Sequence, residues 1–319
     1  MHPCKNPCQV VFLMNHPILR RIKWTYILKL TGYTTLVILI ALTFLLAEIC
    51  RRLVVHLTIW DCPTPTSTPA DAGLTFYQTA LIHPQPGQTL TAWYVPSKNG
   101  AAVLLLQGHW SARDSRLAEA AMLARHGYGV MLLDPHPCVG PDVPHTVGYA
   151  EVADVAAAVE FMRQQPDITG EKIGVDGFSV GGVIAVESAA RNPNIKAVIA
   201  EGSFHDLTDN ITPRAVQGNP IAGLVRWLIV FFYHYYTGLD PTLVRPIDSV
   251  ARISPRALFL IAGAGEAADN HTLAQFEAAG QPKELWLVPE VGHGGYFDRW
   301  PEVYEQKVIS FFNRYLLGL

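Results

Sequence analysis

The hydrophobic pattern of the chain alternates between short apolar runs and longer segments with apolar residues at helical spacing. Ala102–Leu106 and residues 130–133 are short, continuously apolar runs, which is typical of strands buried on both faces. Residues 115–126, 147–164 and 302–316 carry apolar side chains at helical spacing instead. This alternation predicts βαβ units and a mostly parallel central sheet flanked by helices.

Two segments before the first buried run predict a β-hairpin. Residues 74–82 and 89–95 have a strand-like composition, and the intervening His83-Pro84-Gln85-Pro86-Gly87-Gln88 is a strong turn signal. An antiparallel hairpin at the edge of a parallel sheet is compatible with this class of fold. Further strands are predicted at 173–175, 197–200, 257–261 and 285–288.

Residues 203–249 interrupt this alternation. They hold a dense run of bulky apolar residues over 224–236, which is broken by Arg226 and His234. The run is too short and too interrupted for a second membrane span. We expect a helical cap insertion over the sheet. Its role stays open between simple core packing and the shaping of an apolar substrate pocket.

An apolar segment near the N-terminus predicts a membrane helix. Residues 30–47 contain no charged side chain, and at 1.5 Å per residue they nearly cross a hydrocarbon core of about 30 Å. The small-x-small pattern of a signal-peptidase site does not follow Leu46, although a cleaved signal peptide is the competing interpretation. We predict an uncleaved transmembrane signal anchor over residues 30–52, preceded by a basic segment over residues 1–29.

The flanks of this segment predict its orientation and its connection. Four basic residues lie shortly before the uncharged residues 30–47 and two lie shortly after them, which favours a cytoplasmic N-terminus and an extracytoplasmic domain. These residues are Arg20, Arg21, Lys23 and Lys29 before the span, and Arg51 and Arg52 after it. Tyr26, Tyr33 and Trp60 are expected at the membrane interfaces. The Pro- and Thr-rich residues 53–73 predict an extended linker that spaces the domain 74–319 from the membrane.

Composition narrows the class of protein. Half of the residues are hydrophobic and 16% are charged, so a large core can be buried, and the net charge of −3 argues against nucleic-acid binding. The five cysteines are too few for a disulfide-built scaffold, and Cys4 and Cys8 have no further cluster that would complete a zinc site. Cys62 and Cys138 either pair or stay free. No metal or organic cofactor is implied.

The candidate chemistry centres on a serine in a glycine frame. Gly177-Phe178-Ser179-Val180-Gly181 lies between a predicted strand and a predicted helix over 183–191. This context predicts a nucleophile elbow, a turn so tight that Ser179 adopts a strained backbone conformation and its neighbours must be small. The N–H of Val180 would begin the helix and is the first candidate oxyanion donor.

A serine nucleophile needs a base and an acid, and the candidates follow later strands. His293 lies in a Gly-rich loop after strand 285–288 and is the predicted base. Glu266 is the first carboxylate after strand 257–261, with Asp269 as the alternative acid. The loop after the central strand offers the N–H of His109 as second oxyanion donor, with Trp110 as the alternative. His109 is a weaker candidate for the base because it precedes the serine.

With these motifs in place, the chain from about Leu74 to its end resembles α/β-hydrolase-fold serine hydrolases. The branches it looks closest to are the dienelactone-hydrolase-like and prolyl-oligopeptidase-like ones. The matching features are Ala92-Trp93-Tyr94-Val95-Pro96, Gly177-Phe178-Ser179-Val180-Gly181-Gly182, the stretch 260–266, the stretch 288–293 and the last helix at 304–312. The resemblance implies the α/β-hydrolase fold and hydrolysis of an ester, thioester or amide through an acyl-enzyme, with a Ser179–His293–Glu266 triad.

The chain departs from the family pattern at three places. Gln107-Gly108 stands where the family often has His-Gly, the stretch 134–140 lacks the usual Asp-x-Arg-Gly-x-Gly-x-Ser, and Glu266 replaces the usual Asp. The first two alter the floor of the site. The leading hypothesis is a membrane-anchored hydrolase of a small, apolar acyl or ester substrate. A non-catalytic binding protein of the same fold, an acyltransferase and a peptidase remain alternatives.

Overall fold

The computed structural model describes residues 17–319, with side chains described from Lys23 onward. Most of the predicted basic segment 1–29 therefore lies outside the described side chains, as do Cys4, Cys8, Arg20 and Arg21. The internal contacts divide the chain into two units, residues 1–49 and residues 50–319.

The N-terminal unit is dominated by helix α1, Pro17–Thr58. In the part of the chain that the structure describes, α1 is the one helix long and apolar enough to cross a membrane, judged by length and composition. The hydroxyls of Thr31 and Thr43 donate to the carbonyls of Ile27 and Leu39 within the helix. In the hydrocarbon core of a membrane, polar groups need hydrogen-bond partners within the protein, and these two hydroxyls have them. The helix fits a membrane anchor or a signal sequence.

The last turns of α1 belong to the second unit. Cys50, Val54 and Thr58 form one buried face of the helix at a spacing of four residues. Helix α1 runs to Thr58, past the end that was predicted for the membrane anchor at Arg52. Trp60 packs on two histidine rings of the second unit, His109 and His145, at centroid distances of 5.4 and 5.5 Å.

The predicted linker is bound to the second unit along its length. Cys62 forms a disulfide with Cys138, which settles the pairing that the sequence left open. The backbone N–H groups of Thr66 and Ser67 both donate to the carboxylate of Asp114, at 2.7 and 3.0 Å. Residues 53–58 are helical. The segment is thus fastened to the second unit, and its first six residues continue α1 instead of forming the predicted extended linker.

Within residues 17–319, eight strands form one sheet in the order β1-β2-β4-β3-β5-β6-β7-β8. The strands are β1 Gln78–Ile82, β2 Leu90–Val95, β3 Ala102–Leu106, β4 Gly129–Leu133, β5 Ile173–Phe178, β6 Ile195–Glu201, β7 Ala257–Gly263 and β8 Lys283–Val288. The β1–β2 and β2–β4 pairs are antiparallel, and every other pair is parallel. The predicted edge hairpin and the mostly parallel sheet are confirmed.

Helices cover the sheet, and strands β3 to β7 are almost entirely buried beneath them. The helices of the second unit are α2 Leu117–Arg125, α3 Glu151–Arg163, α4 Val180–Arg191, α5 Leu207–Ile211, α6 Ala222–Thr237, α7 Pro246–Ser249, α8 Thr272–Ala278, α9 Tyr296–Arg299 and α10 Pro301–Phe312. Continuous apolar strands require covering on both faces, so the buried runs seen in the sequence have the expected cause.

The insertion between β6 and β7 contains α5, α6 and α7. Helix α6 buries one face into the second unit, while the opposite face is exposed and apolar. The buried side chains are Val225, Leu228, Ile229 and Tyr233, and the exposed ones include Leu224, Trp227, Phe231 and Tyr235. Core packing therefore accounts for one half of the apolar run.

Candidate active site

Ser179 lies on the strained turn that the glycine frame predicted. Its φ and ψ are 56° and −119°, between the end of β5 and the start of α4. A Cβ on Gly177 would lie 2.1 Å from the carbonyl oxygen of Gly181, and one on Gly181 would lie 2.5 Å from that of Leu106. The elbow geometry is therefore confirmed, because no larger residue fits at either glycine.

The three predicted polar side chains meet at the carboxyl end of the sheet. The Nε2 atom of His293 is 2.9 Å from the Oγ of Ser179, and its Nδ1 is 2.5 Å from a carboxylate oxygen of Glu266. Asp269 instead pairs with Arg214 at 2.5 Å on the protein surface. The structure thus brings Glu266, and not the alternative Asp269, to the histidine.

Glu266 is held by four donors. Besides His293, the N–H of Gly263 donates to it at 3.1 Å, the side chain of Asn270 donates at 2.8 Å, and the hydroxyl of Tyr296 donates to its second oxygen. Burial by itself raises the pKa of Glu266, but the bonds from His293, Tyr296 and Gly263 outweigh burial and leave that pKa below its ordinary value. Glu266 is therefore a fixed carboxylate at neutral pH.

Two neighbours position the imidazole of His293. The ring of Phe178 lies 5.0 Å from it, centroid to centroid. On another side a Cβ at Gly202, whose φ is +57°, would lie 3.1 Å from the histidine ring and 2.8 Å from the hydroxyl of Tyr296. Gly202 therefore leaves the space that the ring occupies. The His293 side chain is about half exposed, so the pair with Ser179 is open to solvent.

The loop after β3 passes directly beside the serine. A Cβ built on Gly108 would lie 3.1 Å from the ring of Phe178 and 3.6 Å from the Cβ of Ser179. The N–H of Val180 begins α4 and has no acceptor within the helix. His109 and Trp110, the candidates for the second oxyanion donor, follow Gly108 in this loop.

The side chain of His109 does not serve the serine. Its ring is enclosed and packs against Trp60, Trp110 and His145. Burial, together with the nearby His145, lowers the pKa of His109 to about 3. An enclosed imidazole with a lowered pKa fits a packing role, and His293 is the imidazole that contacts Ser179.

A small polar cavity lies behind this loop. It has a volume of about 30 Å³ and is lined by Gly108, His136, Glu151 and Asp154 among others. His136 and Asp154 are buried and 2.8 Å apart, and burial raises the pKa of Asp154 to about 6. A cavity of this size holds about two water molecules and is too small for an acyl chain.

A buried ionic cluster supports the elbow from below. Arg116, which is 3% exposed, lies 2.7 Å from Glu201 and 3.4 Å from Asp176. The hydroxyl of Tyr304 donates to Glu201 at 2.8 Å, and the backbone carbonyl of Glu201 accepts the N–H of Ser179 at 2.7 Å. Burial and the charge of Glu201 raise the pKa of Asp176. This cluster joins β5 and β6 where the serine is displayed.

The residues that hold Ser179, His293 and Glu266 in place were not predicted from the sequence. Gly202 and Asn270 reach the site from loops and Tyr296 from the start of α9, so these three residues share no sequence motif. The spacing of Asn270 four residues after Glu266 was the one local signal available. Arg116 and Glu201 gave none, because they lie 85 positions apart in sequence.

Comparisons with known proteins agree with this fold. Residues 87–227 match the family described as X-Pro dipeptidyl-peptidase (S15 family). The matched segment includes Ser179 and ends before Glu266 and His293. An uncharacterized protein of Mycobacterium tuberculosis is 29% identical over 238 residues, which cover 72% of this chain and 75% of the relative.

Two further matches carry a described activity. A probable 2-oxo-3-(5-oxofuran-2-ylidene)propanoate lactonase from Bradyrhizobium is 27% identical over 186 residues, 54% of this chain and 63% of the lactonase. The solved structure of a Pyrococcus furiosus esterase aligns with a TM-score of 0.64 at 23% identity, covering 81% of this chain and 98% of the esterase.

These comparisons define the class of protein. The chain has the α/β-hydrolase fold, as the resemblance in its motifs implied. Taken together, the family match and the relatives support a serine hydrolase of the esterase or peptidase type.

Proposed function

We propose that the chain is a membrane-anchored serine hydrolase that cleaves a carboxylic ester, or a thioester or amide, through an acyl-enzyme. The observation that carries the proposal is the continuous hydrogen-bond chain from Ser179 through His293 to Glu266 on a strained elbow. Nucleophile, base and orienting carboxylate are within bonding distance, which is the geometric requirement for this chemistry.

The first half-reaction forms the acyl-enzyme. Ser179 Oγ attacks the substrate carbonyl carbon while its proton passes to Nε2 of His293. The N–H of Val180 and the N–H of His109, with Trp110 as the alternative, bind the oxyanion of the tetrahedral intermediate. When the intermediate collapses, the leaving alcohol takes the proton from His293, and the acyl group stays on Ser179.

The second half-reaction returns the enzyme. Water gives its proton to Nε2 of His293 and attacks the acyl carbon, and collapse returns the proton to Ser179 and releases the acid. Glu266 accepts the Nδ1–H of His293 throughout, which fixes the tautomer and stabilises the imidazolium. Its lowered pKa keeps Glu266 ionised in every step.

Helix α1 supports anchoring, and the disulfide supports an extracytoplasmic second unit. The described part of α1 carries a long exposed apolar surface between Ile27 and Leu45. The Cys62–Cys138 bond belongs to an oxidising compartment in most organisms, in agreement with the orientation that the basic flanks favour. Resistance of the full chain to carbonate extraction, and release by detergent, tests the anchoring.

The hydrolytic proposal is tested with the detergent-purified full chain and p-nitrophenyl esters of increasing acyl length. We expect turnover with an initial burst of p-nitrophenol that matches the enzyme concentration. Ser179→Ala should lose about 1,000-fold or more in kcat with an unchanged circular dichroism spectrum, while Ser310→Ala, an exposed serine on α10, should match wild type. An Xaa-Pro p-nitroanilide is the peptidase comparison. A folded protein that turns over no ester, thioester or amide would contradict the proposal.

A further inference from the structure

A second cluster of chemically active side chains lies apart from the serine. His205 follows β6, Asp209 lies on α5 and His271 directly precedes α8. One ligand atom from each of the three residues lies within 4.8 Å of the others. Nε2 of His205 is 3.7 Å from the carboxylate of Asp209, and the rings of His205 and His271 are 4.1 Å apart, centroid to centroid.

We propose that His205, Asp209 and His271 bind a divalent transition-metal ion of the Zn²⁺ type. Two imidazoles and one carboxylate form a ligand set that binds such ions in preference to Mg²⁺ or Ca²⁺. Bonds of about 2.0–2.2 Å in tetrahedral geometry place ligand atoms about 3.3 Å apart. Closure from separations of up to 4.8 Å needs a shift of up to about 1.5 Å. Rotation of His271, which is exposed, supplies that shift.

The space beside these residues accommodates an ion with bound water. A cavity of about 160 Å³ adjoins the three side chains and is also lined by Phe204, Asn210, Gln217 and Ala268. Three protein ligands leave one coordination position, which a water molecule fills.

The charges around the cluster favour a cation. The side chain of Arg214 reaches this cavity, but it pairs with Asp269 at 2.5 Å. Arg245 lies near His205 and pairs with Asp206 at 2.9 Å. Each arginine is thus balanced by a carboxylate of its own, and the charge of Asp209 is left for the ion.

Such an ion would cross-link two segments that also support the triad. His271 follows Asn270, whose side chain donates to Glu266 at 2.8 Å and to the carbonyl of Gly202 at 3.3 Å. His205 and Asp209 lie beyond Gly202 on the opposite segment. The metal therefore acts as a structural clip between the loop of the acid and the insertion, and it takes no part in the reaction itself.

The test uses the full chain after treatment with EDTA and dialysis, titrated separately with Zn²⁺ and Co²⁺. At about 100-fold excess of Zn²⁺ over its Kd, we expect the Tm to rise by roughly 5–10 °C. Co²⁺ should give visible absorption bands typical of imidazole and carboxylate ligation. His205→Ala, Asp209→Asn and His271→Ala should each weaken binding by about 100-fold or more, since even outer partners of a metal are worth 10- to 100-fold.

The matched control is His234→Ala, which removes an exposed imidazole from α6 of the same insertion and should bind like wild type. Every variant keeps the N-terminal cysteines and histidines, so their contribution cancels in the comparison. Absent Co²⁺ bands, or equal affinity in the ligand variants and in His234→Ala, would overturn the proposal. Both readouts are independent of turnover, so the outcome is separate from that of the esterase assay.

Discussion

At the scale of single residues, the position of His293 depends on the lack of a side chain at Gly202. Gly202 has a φ of +57°, and a Cβ there would lie within 3.2 Å of both the imidazole and the hydroxyl of Tyr296. Both groups hydrogen-bond to Glu266. The glycine therefore sets the distance between the base and Ser179, although it contributes no functional group.

Gly202→Ala should displace the imidazole and lower kcat/KM for an ester by about 100-fold, because a displacement of about 1 Å has that cost. Gly218→Ala is the matched control, since Gly218 has a φ of +78° and open space at its Cβ position. It carries the same backbone penalty without the contact. Equal esterase activity in the two variants would show that the contact at Gly202 does not position His293.

The sequence predicted the residues of the triad better than the residues that hold it. Ser179, Glu266 and His293 each follow a strand that is recognisable as a short apolar run, and their order along the chain matches one known arrangement. Gly202 and Tyr296 become relevant only when the loop after β6 and the start of α9 meet in space. Asp269 could not be separated from Glu266, because the choice depends on how the loop after β7 turns.

At the scale of elements, the start of α3 depends on a buried carboxylate. The N–H and hydroxyl of Thr146 and the N–H of Gly148 donate to Glu151 at 2.7 to 2.8 Å. Burial opposes ionisation, but the charges of His145 and His136 and these hydrogen bonds outweigh it. They lower the pKa of Glu151 from about 4.5 to about 2. In its ionised form, the Glu151 carboxylate therefore holds the segment that precedes α3.

Glu151→Gln should therefore lower the free energy of unfolding by about 2–4 kcal/mol at neutral pH. A carboxyl group whose pKa is lower in the folded state than in the unfolded state stabilises the fold at pH values above its unfolded pKa. That contribution is lost as the pH falls through the folded value, so the difference between wild type and variant should shrink between about pH 4.5 and pH 2. Denaturant unfolding of both proteins over that range measures it. A difference that stays constant with pH would contradict the account.

The strands were more predictable than the segment between α1 and β1. Continuous apolar runs favour buried strands, and β3 to β7 are such strands. Strand β8 also lies where its apolar run indicated, although most of its residues are only half-buried. The prolines of residues 53–73 do exclude long helix after Thr58. They give no sign of Cys138 or Asp114, to which the segment is fastened.

At the scale of the whole molecule, the second unit includes the segment that precedes the first strand of its sheet. It begins at Cys50, and the disulfide between Cys62 and Cys138 closes a loop across 76 positions that contains β1 to β4. Cross-links of this kind stabilise mainly by restricting the unfolded chain. Of the N-terminal unit, the structure describes only residues of helix α1.

Reduction of the full chain should lower the free energy of unfolding by about 2–4 kcal/mol. The Cys62→Ser/Cys138→Ser double variant should show the same loss without reductant, and dithiothreitol should not destabilise it further. Thermal unfolding in detergent with and without dithiothreitol measures both. Equal Tm values for the oxidised chain and the double variant would contradict a stabilising role for the bond.

The proposed hydrolysis depends on the activation of Ser179 as a nucleophile. Its most direct test is labelling of the purified full chain with a fluorophosphonate probe, which reacts with such serines. We predict labelling of wild type and of Ser310→Ala, and none of a Ser179→Ala variant with a native circular dichroism spectrum. Labelling that persists in Ser179→Ala, or a folded wild type that does not react, would contradict the account.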